Sequence, residues 1–286
     1  MKRGSVSLVI ALFLVTIAGG IIYFAWKSEF SLEMMESSFV RSYEQVKTEL
    51  FGTEHLVSES ASWFYQSGTQ SWQVIGTPPR CPEPLSFSSP VEVSLASGVL
   101  YPGQIRGGDY KAHGGFSFDT LKTNEVEVRA AIDGYVLKAS RYLEGGEIQY
   151  QLFYVNACGI MVMHDHLLVL SPKLQKVFDT LPEPKEGDSR TTEIKEKVLI
   201  EEGEVLATEV GHKKQSNVSI DFGVYDLRDT NGVVYNDEFA NKHKSTNEYG
   251  KHALCWLDYL REPDKSIVKN LPPVDGQNGT KSDYCK

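Results

Sequence analysis

The chain has 286 residues, 41% hydrophobic and 23% charged, so it can bury a core and wholesale disorder is excluded. Lys and Arg number 29 against 38 Asp and Glu, and the first 27 residues hold three of the basic groups (Lys2, Arg3, Lys27) and no acidic one, which leaves the rest strongly acidic. Such a body excludes a nucleic-acid backbone binder, which needs a basic face to displace counterions.

Val6 to Trp26 runs 21 residues without a charge. As a helix at ~1.5 Å per residue it spans roughly 30 Å, the thickness of a bilayer core. Lys2 and Arg3 precede this run, and Glu29, Glu33 and Glu36 follow it, so the positive-inside rule places residues 1–4 in the cytoplasm, residues 5–26 in the membrane and the body outside. A signal peptide cleaved near Ala18-Gly19-Gly20 is the alternative, but the apolar run continues past those small residues as IIYFAW. Leu32, Met35, Phe39, Tyr43, Val46 and Leu50 then recur at helical spacing between Ser31, a start cap, and Gly52, a stop. They predict a juxtamembrane helix within residues 27–52, with an apolar stripe that packs on the domain or forms a short coiled-coil seam. Residues 53–90 are rich in Ser, Gly and Thr and end in TPPRCPEP, a linker or wrapping segment.

From residue 91 the texture becomes alternating short strands: VEVSL (91–95), GGFSFD (114–119), EVEVRAAI (125–132), GYVLKAS (134–140), IQYQLFYV (148–155), GIMVMHDHL (159–167), EVLATEV (204–210) and VSIDFGVYD (218–226). Asp133-Gly134 and Gly145-Gly146 supply turn signals. Residues 171–197 form a charged insertion with room for a short helix or a loop, and a C-terminal extension, 231–286, has a helix-like piece near His252–Arg261 before a polar tail. The four cysteines, Cys81, Cys158, Cys255 and Cys285, include no CxxC pair. Outside the cytoplasm an even number permits two disulfides in any pairing; Cys255 and Cys285 bracket the tail.

Three strands carry candidate chemistry. His113, Ser117 and Asp119 fall at even spacings, as do His164 with His166 and Ser219 with Asp221, so on regular strands each set shares a face. A zinc hydrolase needs three His or carboxylate ligands and one open position for water, and these strands can supply it. Each residue also has a plainer reading. His113 and His166 can be hydrogen-bonded cleft residues, Asp221 a polar group paired with Tyr225 or a backbone amide, and His164 a surface neighbour of His166. Phe116, Phe118, Tyr150, Phe153 and Phe222 read as core or groove wall.

RGGDYKAHGGFSFD, VRAAIDGYVLKAS, VMHDHL, VLIEEGEVLATEVG and VSIDFGVYD follow one another in an order that resembles the lysostaphin/LytM-type zinc endopeptidase domain, over roughly residues 98–228. The resemblance implies a mainly β fold, a LytM-like antiparallel β-sheet domain over residues 91–230, behind an N-terminal transmembrane helix and the juxtamembrane helix. Such domains cleave peptide cross-bridges of bacterial cell walls with one zinc. By the family pattern, His113 takes the first zinc ligand's place and His166 the catalytic histidine's, with His164 a weaker catalytic candidate. Ser117 stands where the family has its aspartate ligand, with Asp119 two residues on, and Ser219 and Asp221 replace the final H-x-H. A serine hydroxyl is a poor zinc ligand, a His113/Asp119/Asp221 set is oxygen-rich, and His212 lies on the preceding loop out of register.

The resemblance therefore implies a degenerate domain, with no cofactor expected and zinc only if the site works. Its function would be binding or regulation, with the membrane as one partner and a cell-wall peptide, glycan or extracytoplasmic protein as another. An active metallopeptidase centred on His113, His166 and Asp221 is the runner-up, and a structural assembly domain the third reading.

Overall fold

The structure is a computed structural model that describes residues 61–235, 247–274 and 281–285; the predicted anchor and juxtamembrane helix lie outside the described residues. No helix among the described residues is long and apolar enough to cross a membrane.

The described chain is mainly antiparallel β. A hairpin of β1 (Ala61–Gln66) and β2 (Ser71–Gly76) is followed by β3 (Gly98–Leu100), a small ribbon of β4 (Gln104–Arg106) and β5 (Asp109–Lys111), and β6 (Gly114–Ser117). After the short β7 (Val128–Arg129) come three long strands, β8 (Gly134–Glu144), β9 (Glu147–Val155) and β10 (Ile160–Leu170). The last four are β11 (Thr192–Glu193), β12 (Leu199–Ile200), β13 (Val205–Val210) and β14 (Ser219–Asp226). The main sheet runs β11-β8-β9-β10-β14-β6-β3, with β12 on β8 and β13 between β10 and β7. Gly145 and Gly146, at φ 59° and 73°, join β8 to β9 through a two-residue turn that needs positive φ at both positions.

Alternation sorts the side chains. On β14, Ile220, Phe222 and Val224 enter the larger core with Phe116, Leu152, Tyr154, Val162 and Trp256. That core is closed by helix α1 (Pro172–Phe178), which buries Leu174 and Phe178 and is capped by Ser171. The other sheet face is divided. Near one end Met161, Met163, Phe153, Val155 and Tyr225 are covered by Trp63 and Trp72 of the hairpin and by Ala253. Near the other end the same face is polar, and the candidate site lies there.

Some elements differ from the sequence reading. Residues 61–76, read within a linker, pair as a hairpin because Trp63 and Trp72 bury against the sheet, and the indole Nε1 groups of both donate to backbone carbonyls (Ala157 at 3.1 Å, Glu248 at 3.0 Å). VEVSL is not a strand: Glu92 accepts from Ser94 N and Ser94 Oγ, at 3.3 and 2.7 Å, and caps a 3₁₀ turn over Val93–Leu95. The helix-like piece in the extension is a 3₁₀ turn, Trp256–Tyr259, with a short helix at Asp264–Lys269 beyond it. Asp133-Gly134 makes no two-residue hairpin; Gly134 opens β8, and the Asp133 carboxylate accepts from Glu202 N at 2.6 Å. The cysteines pair Cys81–Cys158 and Cys255–Cys285.

Candidate functional site

The polar end of the sheet is built by β8, β9, β10, β14 and the residue before β6. Register places Asp165 opposite Asp221 and Asp221 opposite Gly115. A Cβ on Gly115 would lie 2.1 Å from the Ile220 carbonyl oxygen, so only glycine lets β6 approach β14 this closely. That approach sets His113, two residues earlier, against Asp221: His113 Nε2 lies 2.9 Å from Asp221 Oδ2.

His166 arrives by a different device. Between His164 and Leu167, β10 carries one residue more than β9, a bulge, and His166 has φ 63°. Such backbone costs of order 1–3 kcal/mol in a non-glycine residue and must be held by its surroundings. Asp165 holds it: Oδ1 accepts the His166 backbone N–H and the Tyr142 hydroxyl, both at 2.8 Å, and Oδ2 accepts from Gln151 Nε2 at 2.6 Å. The bulge breaks the even-spacing expectation for His164 and His166. His164 is wholly buried in the core, stacked on Tyr154 at 5.8 Å and tilted against Phe222 at 5.4 Å, while His166 faces the site. Its ring sits between carboxylates, Nε2 3.7 Å from Asp221 Oδ2 and Nδ1 3.7 Å from Glu144 Oε2. The His212 ring lies 4.6 Å from it, centroid to centroid.

The electrostatics follow from this crowding. Burial by itself raises the Asp221 pKa, but His113, then His166 and Arg106, hold it well below the usual carboxylate range. Asp165 is raised, chiefly by burial, with Asp221 adding to it and His166 opposing. For His166, burial lowers the pKa and Asp165, Asp221 and Glu144 more than reverse it, so the net shift is upward. His212 is lowered by burial and by the neighbouring His166.

Ser117 and Asp119 are turned to each other, the serine hydroxyl donating to Asp119 Oδ1 at 2.6 Å, and the Asp119 backbone N–H donates to Ser97 Oγ. Ser219 sits opposite Ser117 across β14 and β6. The structure thus brings together His113, His166 and Asp221; it leaves Asp119 with Ser117 and takes His164 away into the core.

The zinc that the resemblance implies does not fit its expected position here. Tetrahedral zinc at about 2.0–2.1 Å from each donor keeps donors about 3.3 Å apart. His113 and Asp221 are instead in direct contact, and Ser117, a neutral hydroxyl, is already bonded to Asp119.

Sequence reasoning missed Glu144, Asp165, Tyr142, Gln151 and the place of His212. The ligating atoms of Glu144, His166 and His212 all lie within 4.8 Å of one another. The signal for His212 was topological: β13 pairs with β10, and Gly211 N donates to the His166 carbonyl at 2.8 Å, which carries the next residue to His166.

No protein-family profile matches the chain, and no curated protein matches it either. Among solved structures, Helicobacter pylori Csd3 in an orthorhombic crystal resembles it with a TM-score of 0.34 and 12% identity, over 70% of this chain and 41% of that one. The chain therefore spans well under half of that protein's length.

Proposed function

We propose that this chain is a membrane-anchored, outward-facing protein with a degenerate lysostaphin/LytM-type peptidase-like domain, which binds a cell-wall peptide in its groove without hydrolysing it. The observation that carries the reading is the direct His113–Asp221 pair: two residues at the positions of zinc ligands contact each other, and the third position is a serine bonded elsewhere. Ser219 also stands where the family has a second imidazole, which removes one group able to stabilise a developing oxyanion. The family resemblance is what points to a cell-wall peptide as the ligand. The paired cysteines support the oxidising side of a membrane, where disulfides persist.

The test uses the full-length protein in detergent with purified cross-linked peptidoglycan. The expected results are no release of free amines with added zinc or with chelator, and co-sedimentation that survives chelator. Lys111 on β5 is near enough to oppose protonation of His166, and Lys111→Trp at this rim should weaken co-sedimentation. Zinc-dependent amine release abolished by His113→Ala would overturn the reading in favour of a peptidase using His113, His166 and Asp221. Absence of co-sedimentation would overturn the choice of ligand.

A further inference from the structure

We infer that the chain has a divalent transition-metal site at a new place, formed by Glu144, His166 and His212, beside the position the family uses. The inference rests on the reading that the His113–Asp221 pair has closed the family's own metal position.

Two imidazoles and one carboxylate form a zinc-type donor set with a fourth position free for water or for a carbonyl or carboxylate of a bound peptide. The three residues come from separate elements: the end of β8, the bulge of β10, and the turn after β13. The Nδ1 atoms of His166 and His212 are buried without a hydrogen-bond partner among the described residues, which is costly for polar nitrogens unless something fills the gap. Glu144 is the most exposed member, with its side chain 45% exposed, and a rotation of that chain would close the set around an ion.

The remains of the old site supply the support that metal-bound histidines usually have. A ligating imidazole normally gives its second ring N–H to a carboxylate, which fixes the tautomer. His166 Nε2 faces Asp221 and leaves Nδ1 toward Glu144. Asp221 is in turn braced by His113, and the His166 backbone is braced by Asp165. Positive φ at His166 thus acquires a purpose: it turns the ring out of the strand's alternation to meet Glu144 and His212.

The test is a zinc titration of chelator-stripped full-length protein against a chromogenic chelator, with Co(II) in parallel so that visible absorption reports nitrogen ligation. One equivalent of zinc is expected to bind. Glu144→Gln and His212→Gln should each weaken it by roughly 100-fold or more, and Asp221→Asn by roughly 10–100-fold, as for loss of an outer carboxylate. His113→Ala, one contact further out, should weaken it less than about tenfold. Glu144→Gln replaces a half-exposed side chain at a strand end and keeps its shape, and circular dichroism checks that both variants are folded. No saturable binding would overturn this inference and leave the binding-module reading standing. Binding lost with His113→Ala and untouched by Glu144→Gln or His212→Gln would return the metal to the family's position and overturn both.

Discussion

Glu248→Ala is expected to destabilise the protein by about 3 kcal/mol or more, the range seen when one member of a buried ion pair is removed. Its partner, Lys138, projects from β8 into the covered part of the sheet face, where its side chain is 8% exposed. The Lys138 ammonium lies 5.3 Å from the Trp72 ring centre, 5.2 Å from Phe153 and 4.5 Å from Tyr249, with Glu248 as its ion-pair partner. Burial pushes the Lys138 pKa down and Glu248 pulls it back up. Without Glu248 the charge would rest on the aromatic faces, worth about 0.5–2 kcal/mol, and on the more distant Glu193, against a desolvation penalty of several. The double variant Lys138→Met/Glu248→Gln should fall within about 1 kcal/mol of wild type or exceed it, because apolar replacement of such a pair is often neutral or stabilising. Urea unfolding measures both; a loss below about 1 kcal/mol for Glu248→Ala would show that the pair is exchanging with solvent.

The second large effect is on acid stability, through His164. Its ring is wholly buried between Tyr154 and Phe222, both nitrogens lack a hydrogen-bond partner among the described residues, and burial lowers its pKa from 6.5 to about 3. The folded state therefore holds it neutral, whereas the unfolded chain takes up a proton below pH 6.5. Because the unfolded state binds more protons in that window, stability falls as pH drops from about 6.5 toward 3, by ~1.4 kcal/mol per pH unit well inside it. By pH 4.5 the loss from this residue reaches about 2.5 kcal/mol. His164→Phe removes the titrating group and keeps a flat ring in the same slot. The difference between the two proteins' stability–pH curves should carry that slope, while the other histidines cancel in the subtraction. Parallel curves between pH 6.5 and 4.5 would show that His164 reaches water in the folded state.

These two residues also show where the sequence was legible. The long strands were readable because runs rich in apolar, aromatic and β-branched residues are bounded by turn residues, and β8, β9, β10 and β14 are buried over most of their lengths. The pairing of His113 with Asp221 across β6 and β14 was reachable from the order of motifs. The divergence of His164 from His166 was not, because a single inserted residue in a pleated strand reverses which face the next side chain takes, and nothing in MHDHL marks the bulge. The hairpin at 61–76 was hidden because its polar turn dominates the composition and its two tryptophans matter only against a surface made 60 or more residues later. His212 and Glu144 were invisible for a related reason. Each ends or follows a strand, and their meeting depends on strand order, which local periodicity does not encode.

The order of strands has one more consequence. β14 lies inside the sheet, between β10 and β6, yet it is the last of the fourteen strands among the described residues. The meander β8–β9–β10 can zip through local turns, which form fast, whereas β6 and β3 can join it only through a strand made about a hundred residues after them. The seam where these two parts meet is where His113, His166 and Asp221 converge. A chain made from its N-terminus would therefore hold its inner meander well before it had a groove, and insertion of β14 would be the step that joins the two parts into one sheet.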